Sequence, residues 1–319
     1  MSSKRPTDDP DLHPFIAGTA PVRCPPSLLE KARGRGPVRV AVACADAAMP
    51  LESARAATEA GIMTPVLVGD PGRIRAEAEK IAWPIDDYDI VAAQGEEAGA
   101  LAAAQAVREG RAGVLMKGQV HTDVFMKAAL NKEAGLRGVG RFVHVFHITP
   151  PHADVPILIS DGAVNVAPDF ETRKVAVDAV IEVASAIGLD QPKVAVLSAT
   201  EEPIPSVPSA VAAAELVEWA RTAHPGAVFS GPLALDLVLS KAAARIKARD
   251  GDPVTGAADA ILVPDIVAGN VLFKALVYLC GGCAAGVVLG GRAPIVLTSR
   301  ADPPEARLAS LALARLLSA

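Results

Sequence analysis

Beginning at Val38, short apolar runs with no two-residue alternation take turns with alanine-rich stretches of helical length. Segments 38–44, 64–69, 89–92 and 113–116 are the runs, and 51–61, 73–81 and 96–108 are the stretches between them. A strand with one face in water alternates polar and apolar residues, so continuous apolar runs belong to strands covered on both faces. Linked by helices, such strands form a parallel sheet, and the expected class is α/β. Aromatic residues make up 3% of a chain that is 51% hydrophobic, so small aliphatic side chains must fill the core.

The pattern changes character across 132–156, where Gly, Pro and His accompany the apolar runs RFVHVFHI and VPILISD and Pro150-Pro151 interrupts the sheet pattern. A domain crossing is expected there. Beyond it the alternation resumes, with helices expected over 171–187, 208–222, 233–248, 268–279 and 304–317 and strands over 193–198, 258–263, 286–289 and 294–298. Ser206 is expected to cap the helix entered at Pro208. Residues 1–37, with Pro6, Pro10, Pro14, Pro21, Pro25 and Pro26, read as an arm that is loose or lies on the surface.

Several function classes are disfavoured at this level. A net charge of −5 with few aromatic residues argues against a nucleic-acid surface. The longest uncharged run, between Lys274 and Arg292, is split by Cys280-Gly281-Gly282-Cys283, a turn signal, so no membrane span is expected. The first ten residues are polar and acidic with no apolar stretch after them, which makes a cytoplasmic location the expectation. Cys280 and Cys283 have CxxC spacing but no second pair or nearby histidines, and are expected to be buried as small apolar residues. His144 and His147, three apart in a strand, should point to opposite faces, so no metal site is expected. P-loop, zincin and dinucleotide signatures are all missing.

Ligands of parallel α/β sheets gather where strand ends lead into helix N-termini, whose free N–H groups favour anions. The loop Lys117-Gly118-Gln119-Val120-His121-Thr122 has this form: a cation, a glycine that permits close backbone approach, and a hydroxyl at a helix start suit a phosphate or acyl phosphate. A glycine turn beside a solvated lysine fits the same residues. In Thr298-Ser299-Arg300-Ala301-Asp302, Arg300 offers a planar fork for phosphate or a developing oxyanion, and Asp302 a carboxylate that is base, ion-pair partner or helix cap. Asp161 after VPILIS and Asn270 after Asp265 are Asx residues that either line a cleft or cap a turn.

The blocks LMKGQVHTDVFMKAAL, SDGAVNVAPDFETRK, VAVLSATE, GPLALD, GAADAILVPDIVAGNVLFKALVYL and APIVLTSRAD, in that order from about Val38 to the C-terminus, resemble the phosphate acetyltransferase and phosphate butyryltransferase family. The MKG-x-x-HTD loop is closest to the butyryltransferase-like branch and to the acyltransferase half of fused hydratase–transferase proteins. The resemblance implies a two-domain fold like isocitrate and isopropylmalate dehydrogenases, with mainly parallel sheets and an active cleft between the domains. Domain 1 would comprise 38–147 plus 287–319, and domain 2 148–286. It implies reversible exchange of a short acyl group between coenzyme A and inorganic phosphate in a homodimer, with coenzyme A as substrate and no tightly bound cofactor. Carried over, Ser299 and Arg300 stand at the reacting thioester, and Arg300 meets the oxyanion. Lys117, Gly118 and Thr122 line the phosphate or acyl side, and Asp161 and Asn270 complete the substrate-binding set. The carboxylate proposed as base in the acetyltransferases has Ala306 as its approximate match here, which leaves Asp302 as the hypothesis for that role. The rival readings are an acyl-ACP phosphate acyltransferase of the same fold and a non-catalytic acyl-CoA binding subunit.

Overall fold

From Cys24 onward the chain crosses twice between two units, at Phe142/Val143 and again at Ala284/Ala285. One, the split unit, comprises Cys24–Phe142 and Ala285–Ala319; the other, the middle unit, is built on Val143–Ala284. The computed structural model describes residues 22–133, 135–138, 140–299 and 301–319.

In chain order the split unit begins with α1 (Pro26–Gly34), β1 (Val38–Ala43), α2 (Ala48–Glu59), β2 (Met63–Gly69), α3 (Pro71–Lys80), β3 (Asp89–Ala92), α4 (Glu96–Arg108), β4 (Val114–Lys117) and α5 (Thr122–Ala129). The middle unit follows with β5 (Val143–Thr149), β6 (Ile157–Ser160), α6 (Phe170–Ala186), β7 (Lys193–Leu197), α7 (Pro208–Ala223), β8 (Val228–Leu233), α8 (Leu235–Leu239), α9 (Lys241–Ile246), β9 (Ala260–Leu262) and α10 (Ile266–Tyr278). The chain re-enters the split unit along β10 (Cys283–Leu289) and closes with β11 (Ile295–Val296) and α11 (Pro304–Leu317).

In the split unit the strand order is β3-β2-β1-β4-β11-β10. All neighbours run parallel except β10 and β11. Val40–Ala43, Val66–Val68 and Leu115–Met116 are sealed from solvent, as the unalternating runs require. The covering helices lie close because they present alanine: α4 buries Ala100, Ala103, Ala104 and Ala106. In the middle unit the order is β5-β6-β9-β7-β8, parallel except for β5 with β6. Its core joins Phe146, Ile148, Ile159, Ile261 and Leu272 to Leu237 and Val238 of α8.

Four expectations need correction. The last third of the proline-rich arm is not loose: α1 takes Pro26 into its first turn, buries Leu28 and Ala32, and packs on α11. There Arg315 donates to the carbonyls of Arg35 and Gly36; residues 1–21 lie outside the described residues. The helix expected over 233–248 breaks at Ser240, whose extended backbone ends α8 and whose hydroxyl accepts from Ala243 N to start α9. Ser206 caps nothing; Val207 occupies the cap position of α7 without a side-chain bond. Cys280 is exposed, because α10 ends just before it and Gly281 turns the chain with φ +70°, while Cys283 is buried in β10 as expected. Among the described residues no helix is long and apolar enough to cross a membrane.

Candidate functional site

From β1 the split unit's sheet grows outward through β2 and β3 on one side and through β4 and β11 on the other, so the order reverses between β1 and β4. Helices leaving neighbouring strands then diverge to opposite faces and open a crevice at the carboxyl ends. Ala43 is paired with Lys117, so Cys44 and Gly118 are the first residues past the sheet on either side of that point.

The two loops interlock there. A Cβ on Gly118 would stand 2.2 Å from Ala43 O and 2.8 Å from Cys44 O, a contact only glycine permits. Gln119 N donates to Cys44 O at 3.0 Å and Val120 N to Gly118 O at 3.0 Å. Lys117 is consequently held with only 5% of its surface exposed, at a strand end rather than on a solvated turn.

Across β4, Ile295 and Val296 pair with Leu115 and Met116, and Thr298 Oγ1 donates to Lys117 O at 3.2 Å. The Ser299 loop is therefore tied to the Lys117 loop. Ser299 N donates to Asp302 Oδ2 at 2.6 Å and Asp302 N to Ser299 O at 3.1 Å, while Ala301 N reaches Ser299 Oγ at 3.3 Å. Asp302 thus folds the loop back on itself, and Pro303, not Asp302, holds the cap position of α11. Arg300 lies outside the described residues.

Three participants escaped the sequence reading. Arg307, buried in α11, donates to Asp302 O at 2.5 Å and to Ser53 Oγ of α2 at 2.8 Å, bracing the Ser299 loop from below. An arginine in the first turns of α11, among alanines and leucines, was the available signal. Glu96, the first residue of α4, places both carboxylate oxygens 2.8 and 2.9 Å from His121 Nδ1, and its Oε2 also accepts from His121 N at 2.9 Å. Cys44, in a left-handed backbone conformation, directs its thiol to Glu96 O at 3.7 Å. Burial, reinforced by Asp46 and Glu96 and opposed by Lys117, pushes that thiol up to about 11, so it stays neutral. Thr122 is exposed as the first residue of α5, next to His121 in the cap position.

Asp161 and Asn270 belong to the middle unit. Asp161 accepts from Ala163 N (2.9 Å), Val164 N (3.0 Å), Asn165 N (3.2 Å) and Asn165 Nδ2 (2.6 Å), so its carboxylate is occupied in shaping its own loop. Asn270 Nδ2 donates to Gly162 O at 3.3 Å, and a Cβ on Gly269 would meet Gly162 Cα at 2.7 Å, so α10 abuts this loop backbone to backbone. The structure therefore brings Lys117, Gly118, Thr122, Ser299 and Asp302 together in one unit and Asp161 and Asn270 in the other. Below the latter pair, His144 is fully buried, and burial, against the pull of Asp161, lowers its pKa to about 4. Among the described residues no group of three or more His, Cys, Asp or Glu side chains is placed to hold a metal ion.

Residues 97–314 match the family model described as "Phosphate acetyl/butaryl transferase". Over 294 residues the chain is 41% identical to a phosphate acetyltransferase of Rhizobium meliloti, covering 92% of each. Over 292 residues it is 38% identical to a phosphate butyryltransferase of Clostridium acetobutylicum, covering 91% of this chain and 97% of that one. A solved branched-chain phosphotransacylase from Enterococcus faecalis V583 superposes with a TM-score of 0.77 at 30% identity, covering 88% of this chain and 99% of the other.

Proposed function

Because the chain belongs to the phosphate acetyl/butyryl transferase family and is an acyltransferase, we propose that it moves a short acyl group, acetyl or butyryl, reversibly between coenzyme A and inorganic phosphate. The observation that carries this reading is the nearly buried Lys117 at the β1/β4 reversal, bound through its own carbonyl to the loop that bears Ser299.

A phosphoryl group needs fixed positive charge and N–H donors, and a strand end followed by a helix start supplies both. In this reading Lys117, the Gly118 backbone and the Thr122 hydroxyl hold the phosphate. Attack of the coenzyme A thiol on the acyl carbonyl forms a tetrahedral intermediate whose oxygen carries the charge, and Arg300 with Ser299 meets it. Asp302 fixes the Ser299 amide and so aims that loop. Substrate binding in the middle unit falls to the loop that Asp161 and Asn270 shape. Transfer is direct: the thiol near the site, Cys44, is too weakly acidic to serve as an acyl carrier, and a ternary complex gains its rate from positioning.

Substrates of this kind place the enzyme in the cytoplasm. The homodimer is supported by α10, which leaves Val267, Val271 and Tyr278 exposed along its length, with Leu279 exposed just after it. Sedimentation of the purified chain as a dimer is the expected result. The test of function is thioester formation from coenzyme A with acetyl, propionyl and butyryl phosphate, alongside Arg300→Ala. Turnover with at least one of them, lost in the variant, is expected; no turnover with any of them, or an acylated side chain trapped during turnover, overturns the reading.

A further inference from the structure

Thiol attack requires that a proton leave sulfur, and among the described residues of the Ser299 loop the one carboxylate, Asp302, is engaged in holding the loop's shape. Asp302 spends one oxygen on Ser299 N at 2.6 Å, Lys117 contributes a cation, and position 306 is alanine. The Cys44 thiol is itself held neutral.

The pair at the head of α4 and α5 is differently built. Glu96 faces His121 Nδ1 with both oxygens and accepts the His121 backbone N–H as well, so the residue is gripped by main chain and side chain together. A carboxylate only accepts, so the ring hydrogen sits on Nδ1 and the lone pair is left on Nε2. The His121 side chain is 67% exposed, so the ring is accessible to a bound substrate. Its loop is the Lys117-Gly118 loop itself, whose Val120 N–H closes on Gly118 O. The ionisable groups on the surrounding elements are Glu96 on α4, Lys117 on β4, Cys44 and Asp46 after β1, and Asp123 in the first turn of α5.

We propose that His121, oriented by Glu96, is the general base that takes the proton from the coenzyme A thiol. This rests on the acyl-transfer reading given above. As sulfur bonds to the acyl carbon, the thiol proton passes to His121 Nε2; as the tetrahedral intermediate collapses, the carbon–oxygen bond to phosphate breaks and the same proton passes to the departing phosphate oxygen. One thioester and one hydrogen phosphate are formed, and His121 returns to its starting state. Glu96 is a positioning residue: it fixes the tautomer and steadies the imidazolium while it lasts.

The test follows thioester formation from coenzyme A and acetyl phosphate between pH 6 and 9.5 with the full chain. A positioned base contributes on the order of 10²-fold or more, so His121→Gln should lower kcat about 100-fold at pH 7 with the KM for coenzyme A changed only a few-fold. A thiol ionises by itself near about pH 8.5, so the deficit should close as the pH rises past that point. Asp302→Asn should lose rate equally at every pH. Glu96→Gln, which keeps an acceptor for the His121 amide, should cost roughly 10-fold with the same alkaline recovery, and it carries the test independently should His121→Gln fail to fold. A His121→Gln rate within about 3-fold of the parent, or a deficit unchanged at pH 9.5, overturns the proposal. A parent chain that forms no thioester from any acyl phosphate overturns the acyl-transfer reading instead, before any variant is measured.

Discussion

Two strand-end loops of this molecule begin from similar sequence and end in opposite states. At Asp161 four N–H groups converge on one carboxylate, which leaves it no capacity for anything but its own turn. At Lys117 the main chain is held by backbone and hydroxyl contacts through Gly118, Gln119 and Thr298, and the neighbouring His121 ring is held through Nδ1 alone, by Glu96. A buried polar group whose partners are all internal acts as architecture. One that is fixed by its main chain keeps its side chain available for chemistry.

Lys117→Met should break the comparison most sharply. It keeps the apolar stem and removes the charge, so kcat/KM for acyl phosphate should fall about 10²- to 10³-fold while the urea midpoint moves little. Equal loss of stability and activity would place Lys117 in the same class as Asp161. Asp161→Ala should do the reverse. It strands three backbone N–H groups under the chain, which costs about 3 kcal/mol in urea unfolding, and the activity of the folded fraction should drop only a few-fold.

The middle unit's architectural character also predicts a pH dependence. His144 ionises near 6.5 in the unfolded chain but is lowered to about 4 when folded, so between those values the unfolded state binds the extra proton. Stability from this site is full above pH 6.5 and falls as pH drops through the window, by about 3 kcal/mol at pH 4. His144→Gln should flatten that slope in urea titrations at pH 7, 5.5 and 4; an unchanged slope would mean that the ring is not held neutral.

Arg307 sets the next step down. Arg307→Met frees Ser53 and the Asp302 carbonyl from a shared guanidinium. Loss of hydrogen bonds to a charged group costs about 2 kcal/mol, measured by urea unfolding. Because the Ser299 loop loses its brace, kcat should fall roughly 10-fold as well, a loss well short of the Lys117 effect.

How much of this could be read in advance follows from how local each signal is. The βα alternation was legible because a doubly covered strand must be apolar at every position, as Val38–Ala43 nearly is. Lys117 and Gly118 were legible because a cation and a glycine at a strand end are adjacent in sequence. The Glu96–His121 pair was not: the partners are 25 residues apart and meet only because α4 and α5 flank β4. Prolines misled the reading of α1, since Pro26 starts that helix and the burial of Leu28 and Ala32 depends on α11, nearly 300 residues away. Cys280 misled for the opposite reason: apolar neighbours suggested burial, while the single turn at Gly281 decides that it faces out.

Ser240→Ala probes the weak end of the same scale. Its hydroxyl accepts one bond, from Ala243 N at 3.1 Å, at the head of a six-residue helix that also leans on Lys247 between Glu201 and Asp236. A cap with one partner on a short, largely exposed helix should be worth about 1 kcal/mol, with Ser240→Asp retaining nearly all of it and Ser240→Gly losing a few tenths. Coenzyme A turnover should be untouched in all three. If Ser240→Ala instead matched Asp161→Ala in urea, the number of internal partners would not be what separates architecture from chemistry here, and α9 would have to be counted with the core that Val238 and Ala244 share.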